Sequence, residues 1–233
     1  MRIALIHALT HSIAPINDAF VRMWPAATRV NVLDDSLSAD LAANRGVLDE
    51  AMHLRFESLA DYAVHCGADA ILFTCSAFGS CIERVARNHA NIPILKPNEA
   101  MISEAVSAVT ESGKAIGLIA SFAPTLVSMP PEFPSNATLR TDLVADAMDA
   151  LNAGDVAAHD ALVVAAAMRL KSQNVGVIAL AQFSMARAAA AVAAATGLPS
   201  EASPSVMWIT TGGKLSALSV IHVVKMSWAE SSA

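Results

Sequence analysis

The chain has 233 residues, a formal net charge of −6 and no run of lysine or arginine, so nucleic acid and anionic membranes are disfavoured as partners. Hydrophobic residues make up 55% of the sequence and aromatic residues only 5%, which predicts a core of small aliphatic side chains. The three cysteines form no pair at metal-ligand spacing, and an odd, sparse set favours a reducing compartment. We therefore expect a cytoplasmic protein without a metal site.

The strands are predicted from uninterrupted apolar runs, which are typical of parallel strands covered on both faces. Four runs are strong: Arg2–His7, Asp69–Thr74, Lys114–Ala120 and Val175–Ala181. Three weaker candidates are Thr28–Leu33, Ile92–Leu95 and Leu139–Val144.

Helical patterns separate these runs. One amphipathic helix ends at Gly67, and another begins at Pro97 and ends at Gly113. Two more cover Asp155–Lys171 and Ser184–Thr196. Alternating strands and helices predict mostly parallel α/β architecture, with any ligand at the carboxyl ends of the strands.

The order of elements in the first half of the chain recurs in the second half. This repetition predicts an α/β fold of two pseudo-symmetric lobes, each a mostly parallel sheet flanked by helices, with the active site in the cleft between them. The predicted lobes are residues 1–96 and 97–205, and residues 206–233 are a candidate segment to complete the first lobe. The sequence leaves a homo-oligomer open.

Cys75 is the leading candidate for chemistry. It follows a buried strand and precedes a helix, a position where helix N–H groups are expected to lower the thiol pKa and favour a nucleophilic or basic thiolate. Cys66 and Cys81 fall within helical patterns and are interpreted as packing residues. A buried structural role for Cys75 is the alternative.

Polar residues also follow the other strong strands. Thr10 and His11 lie after the first strand, where His11 is a candidate base for Cys75, and Ser12 is interpreted as a helix cap. Ser121 and Thr125 follow the third strand and are candidates to bind a carboxylate.

The fourth strong strand leads to Gln182 and Phe183, which are candidate substrate-binding residues at the place where the first lobe has Cys75. A buried glutamine needs polar partners, and these come either from a ligand or from the backbone. The sequence contains neither GxGxxG nor GxxxxGK[ST] nor GxSxG, so nucleotide cofactors and a hydrolase serine are disfavoured, and no cofactor is expected.

Four strand ends carry a resemblance to a known family: Ile6-His7-Ala8, Phe73-Thr74-Cys75-Ser76, Ile119-Ala120-Ser121 and Leu180-Ala181-Gln182-Phe183-Ser184. They resemble the aspartate/glutamate/hydantoin racemase superfamily, which includes arylmalonate decarboxylase and maleate isomerase. The resemblance covers residues 1 to about 200 and implies a two-lobed fold with a site between the lobes.

Family racemases use one cysteine from each lobe, and the resemblance places the first on Cys75 and the second on Gln182. It further implies a small carboxylate substrate, held by residues that include Thr74 and Ser76. Because the amide of Gln182 cannot exchange a proton at useful pKa, we expect a racemase or isomerase relative with one thiol acting at Cα. A one-thiol decarboxylase of the arylmalonate type and a non-catalytic carboxylate binder are the alternatives.

Overall fold

The first sheet is formed by the N-terminal part of the chain. The computed structural model describes residues 1–198, together with the backbone of three short strands at 200–202, 209–211 and 214–216. Four parallel strands in the order β2-β1-β3-β4 make the sheet: β1 Arg2–His7, β2 Thr28–Leu33, β3 Ala70–Phe73 and β4 Ile94–Leu95.

Helices cover both faces of this sheet, as the unbroken apolar sequence of β1 requires. Ile3 and Leu5 pack towards α1, and Ala4 and Ile6 pack on the opposite face with Phe56 of α3. The helices are α1 Ile13–Met23, α2 Ser36–Ala43, α3 Glu50–His65 and α4 Gly79–Asn88, with 3-10 turns at Thr10–Ser12 and Ser76–Phe78.

The second sheet has the same strand order, β6-β5-β7-β8, and is also parallel. Its strands are β5 Ala115–Ala120, β6 Leu139–Leu143, β7 Val175–Leu180 and β8 Ser200–Ala202. Its helices are α5 Asn98–Thr110, α6 Thr125–Ser128, α7 Ala145–Asn152, α8 Val156–Lys171 and α9 Ala189–Thr196, with 3-10 turns at Pro130–Glu132 and Phe183–Ala188.

The repeated strand order confirms the predicted α/β fold of two pseudo-symmetric lobes. All seven predicted strands are present, and each differs from its predicted range by at most two residues at either end. The sequence did not indicate α2 and α7, which have eight residues each. Short helices of this kind carry too few turns for a clear apolar periodicity.

The predicted lobe boundary at residues 96 and 97 falls between β4 and α5. The bounds of the lobes nevertheless stay a prediction. The segment 206–233 contains an antiparallel pair, β9 Ile209–Thr211 and β10 Lys214–Ser216, and the rest of it lies outside the described residues. Of the helices that are described, none combines the length and the apolarity needed to span a bilayer.

Candidate active site

A cavity lies where strand ends from the two sheets meet, and both halves of the chain line it. Its volume is about 20 Å³, which holds about one water molecule. Within the described part of the chain, no charged side chain lines it. The lining residues are Leu9, Ser12, Ser38, Thr74, Cys75, Ser76, Ala77, Phe78, Phe122, Thr125, Gln182 and Phe183.

Cys75 lies directly after β3, and its thiol is almost completely buried. The backbone N–H of Ala8, which follows β1, donates a hydrogen bond to Sγ over 3.0 Å. Burial raises the pKa of Cys75 to about 12, although the N–H of Ala8 and the hydroxyl of Thr74 act in the opposite direction. The thiol is therefore protonated at neutral pH in this closed arrangement.

The expectation that a helix end lowers the pKa of Cys75 is consequently wrong for this arrangement. A 3-10 turn occupies Ser76–Phe78, and α4 begins only at Gly79. The stabilisation available at a helix N-terminus falls off within the first turn, whereas the desolvation of a buried thiol acts in full.

Gln182 occupies the corresponding position after β7 and is held by the neighbouring strand end. Its Oε1 accepts hydrogen bonds from the backbone N–H of Ser121 over 2.6 Å and from the Ser121 hydroxyl over 3.0 Å. A backbone N–H can only donate, so these contacts identify the oxygen end of the amide. The Nε2 group is left as the donor available to a ligand in the cavity.

Two hydroxyls, one from each lobe, also face each other in the cavity. Ser76 Oγ and Thr125 Oγ1 are 3.5 Å apart, and Thr125 is fully buried. The side-chain amide of Asn98 donates to the carbonyl oxygen of Ser76 over 3.4 Å and to Glu132 Oε1 over 3.1 Å. The polar part of the cavity thus offers uncharged hydrogen-bond donors.

Six of the nine predicted site residues line this cavity together. They are Thr74, Cys75, Ser76, Thr125, Gln182 and Phe183. Ser121 does not line it, and both of its donors bond to Oε1 of Gln182.

Thr10 and His11 line a separate cavity of about 700 Å³. His11 Nε2 lies 2.9 Å from Asn152 Oδ1, and the two cavities share no lining residue in the described part of the chain. The structure therefore does not place His11 beside Cys75.

Sequence reasoning missed several lining residues. Ser12 was interpreted as a helix cap, but its side chain makes no capping hydrogen bond and is 3% exposed, with the cavity beside it. Ser38 comes from α2, which the sequence did not indicate, and its hydroxyl donates to the carbonyl of Ala8 over 3.2 Å. Phe78 follows Cys75 by three residues, a spacing at which a 3-10 turn returns a side chain to the same side.

The cysteines are all free in the described residues, with Cys66 half-buried and Cys81 buried. Over the same residues, no three side chains of the metal-ligating types cluster together.

Comparisons with known proteins support the fold. No protein-family model matches the sequence, and no curated protein matches it significantly. Among solved structures, glutamate racemase from Thermus thermophilus in complex with β-chloro-D-alanine is similar, with a TM-score of 0.68 and 16% identity over 98% of this chain and 81% of that one. Allantoin racemase from Klebsiella pneumoniae gives a TM-score of 0.64 and 16% identity over 98% and 86% of the two chains.

A third similar structure is a liganded double mutant of arylmalonate decarboxylase, in which one glycine is replaced by cysteine and one cysteine by serine. Its TM-score is 0.53, with 15% identity over 87% of each chain. Aspartate racemase from Picrophilus torridus is also among the similar structures. The chain therefore shares the fold of these racemases and of this decarboxylase, as the strand-end resemblance implied.

Proposed function

We propose that this chain is a cofactor-independent enzyme of the racemase and decarboxylase type, which transfers a proton at Cα of a small carboxylate through Cys75. The observation that carries the proposal is the arrangement of Cys75 and Gln182, which come from equivalent strand ends of the two lobes and line one cavity. The fold shared with racemases and with a decarboxylase supports this interpretation.

The uncharged lining constrains the substrate. A carboxylate can be bound by neutral donors such as Gln182 Nε2 and the hydroxyls of Ser76 and Thr125, and such donors strengthen as negative charge develops on an enolate. The ammonium group of an amino acid would find no carboxylate partner among the described lining residues, and an unpaired buried charge is costly. We therefore propose a carboxylate whose remaining substituents are uncharged and partly apolar, in contact with Phe78, Phe122 and Phe183.

A single thiol permits proton transfer on one face of Cα. Racemisation needs a proton carrier on each face, and the amide of Gln182 has no proton to exchange at useful pKa. Decarboxylation followed by protonation needs only one acid, and Cys75 is protonated at neutral pH. This observation favours a one-thiol decarboxylase of the arylmalonate type as the second candidate.

The cavity must enlarge before a substrate binds. A space of about 20 Å³ is too small for a carboxylate with its Cα, so the side chains that line the cavity have to rearrange first. Closure around the substrate then excludes water and strengthens each hydrogen bond in the site.

Activity tests require a panel of substrates because the substrate is unidentified. Amino acids, hydantoins and arylmalonates are incubated with the protein in D₂O, and NMR follows deuterium at Cα and loss of CO₂. We expect the wild type and Cys81→Ser to turn over at least one carboxylate whose other substituents are uncharged. We expect no turnover by Cys75→Ala.

Ligand binding separates the enzyme from a non-catalytic binder. If the panel gives no turnover while a panel member binds Cys75→Ser and wild type equally, the chain is a carboxylate binder and the proposed activity is wrong.

A further inference from the structure

The residues that line the cavity around Cys75 differ in their exposure to solvent. Among the described lining residues, nine are buried, whereas Leu9, Ser38 and Phe122 are half-buried. A residue that lines a cavity and also contacts solvent lies between the two. In the described part of the chain, the way from solvent to the Cys75 thiol therefore passes between these three residues, which we call the entrance.

Phe122 connects the two sheets at the entrance. Leu9 and Ser38 belong to the first sheet and its helices, whereas Phe122 comes two residues after β5 of the second sheet. The Phe122 side chain nevertheless packs against the core cluster of the first sheet, and this cluster contains Cys75. The phenylalanine of one half of the chain thus covers the thiol of the other half on the solvent side.

The backbone at Phe122 is held in place, but its ring is held by apolar packing alone. The carbonyl oxygen of Phe122 accepts a hydrogen bond from the N–H of Thr125 over 3.0 Å. The N–H of the preceding residue, Ser121, donates to Gln182 Oε1 over 2.6 Å. Because side chains in contact with solvent change rotamer rapidly, the ring can leave the entrance without any movement of the backbone.

The opposite side of the entrance is held by polar contacts. Arg55 on α3 donates to both carboxylate oxygens of Asp34 over 2.6 and 2.7 Å, and to Asp40 Oδ2 over 2.6 Å. Bidentate pairs of this kind are among the strong hydrogen bonds of proteins. Ser38 lies between the two aspartates, and its hydroxyl donates to the carbonyl of Ala8 over 3.2 Å. These contacts hold α2 in place, so the ring of Phe122 is the part of the entrance that can move.

We propose that Phe122 is the gate of this cavity: its ring closes the way to Cys75 and limits the size of the Cα substituent that a substrate can carry through the entrance. The inference rests on the proposed acid/base role of Cys75. Rotation of the ring away from the entrance admits the substrate. Its return excludes water from the reaction and brings the ring into contact with the substituent.

Alkylation of Cys75 tests the gate without any substrate. Wild type, Phe122→Ala and Phe122→Tyr react with iodoacetamide at one pH, and peptide mass spectrometry follows each cysteine. The rate at Cys75 is divided by the rate at Cys66, which is half-buried and does not line the cavity. We expect this quotient to rise at least about fivefold in Phe122→Ala, the factor that exposing about half of a phenylalanine side chain implies. Phe122→Tyr keeps the ring and the wild-type quotient.

A second reagent tests the size limit. N-phenylmaleimide carries an aromatic ring and attacks the same thiolate as iodoacetamide, so the ratio of the two rates at Cys75 does not depend on the pKa of the thiol. We expect this ratio to rise at least about tenfold in Phe122→Ala, the factor that one methylene group too many is worth in an apolar pocket. An unchanged ratio would show that Phe122 sets no size limit.

Two variants and one cysteine serve as controls. Phe133 is a buried phenylalanine of the second half of the chain that does not line the cavity, so Phe133→Ala should keep the wild-type quotient. Leu9→Ala truncates the other apolar side chain of the entrance, and we expect a smaller gain than in Phe122→Ala. Cys81 is buried in the same core cluster as Cys75 and reports general loosening of that core, so its rate should stay unchanged.

An unchanged quotient in Phe122→Ala, an equal gain in Phe133→Ala or Leu9→Ala, or parallel gains at Cys75 and Cys81 would overturn the gate. If Phe122→Ala fails to fold, Phe122→Leu decides the question by the same criteria. A raised quotient without turnover of any panel member would refute the proposed function and leave the gate intact. Turnover of a panel member with an unchanged quotient in Phe122→Ala would do the opposite.

Discussion

Replacing Gln182 by methionine tests the hydrogen bonds that hold the second strand end. Methionine preserves the length of the side chain but removes Oε1, which accepts from the N–H and the hydroxyl of Ser121. The hydroxyl can rotate to another acceptor, whereas the buried N–H cannot. Leaving such a donor unpaired costs about 1–3 kcal/mol, so we expect the free energy of unfolding to fall by that amount.

Urea unfolding and thermal melting measure this loss. For a chain of 233 residues, a loss of 1 kcal/mol lowers Tm by roughly 2–4 °C. Gln173→Met is the matched control at an exposed position, where we expect a change within about 0.5 kcal/mol. The interpretation of Gln182 would be refuted if Gln182→Met were as stable as this control.

Three other substitutions give independent predictions. Gln182→Cys supplies a thiol on the second face of Cα, so we expect deuterium exchange in D₂O to proceed with inversion at Cα. Chiral chromatography of the product detects the inversion. A product of unchanged configuration would contradict the assignment of Cys75 and residue 182 to the two faces. Burial raises the pKa of Glu132, so ionisation of this carboxyl disfavours the folded state. Glu132→Gln is therefore expected to stabilise the protein at pH 7, and this gain in stability shrinks as the pH falls through the raised pKa. Equal unfolding curves for the two proteins at pH 7 would disprove the prediction. Asp155 caps α8 by accepting a hydrogen bond from the N–H of Ala158 over 2.9 Å. Asp155→Ala should therefore lower the free energy of unfolding, measured in urea, by about 0.5–2 kcal/mol. An unchanged urea midpoint would show that the cap contributes nothing to stability.

The strands were predictable because buried parallel strands leave an unbroken apolar signature. β1 and β7 are covered on both faces, and their sequences show it directly. The position of Cys75 and Gln182 at one sheet edge follows from the same rule, since carboxyl ends of parallel strands lie together.

The directions of the side chains at the strand ends and in the loops were less predictable from the sequence. His7 and His11 are four residues apart, and only the structure shows that His7 contacts Thr74 while His11 lies at another cavity. A loop residue has no periodicity that fixes the direction of its side chain.

The sign of the pKa shift at Cys75 also depended on burial. The sequence showed the thiol before a helical segment, but not that a 3-10 turn would intervene and that the thiol would be buried beside a small cavity. Desolvation is a property of the assembled lobes, so no local pattern could indicate its magnitude.

The central claim is that one thiol serves one face of Cα. The most direct measurement is the configuration of the product formed in D₂O from a prochiral substituted malonate. We expect a single α-deuterated enantiomer from the wild type and from Cys81→Ser, and no product from Cys75→Ala. A racemic product from the wild type, or the same enantiomer from Cys75→Ala at an undiminished rate, would contradict the account.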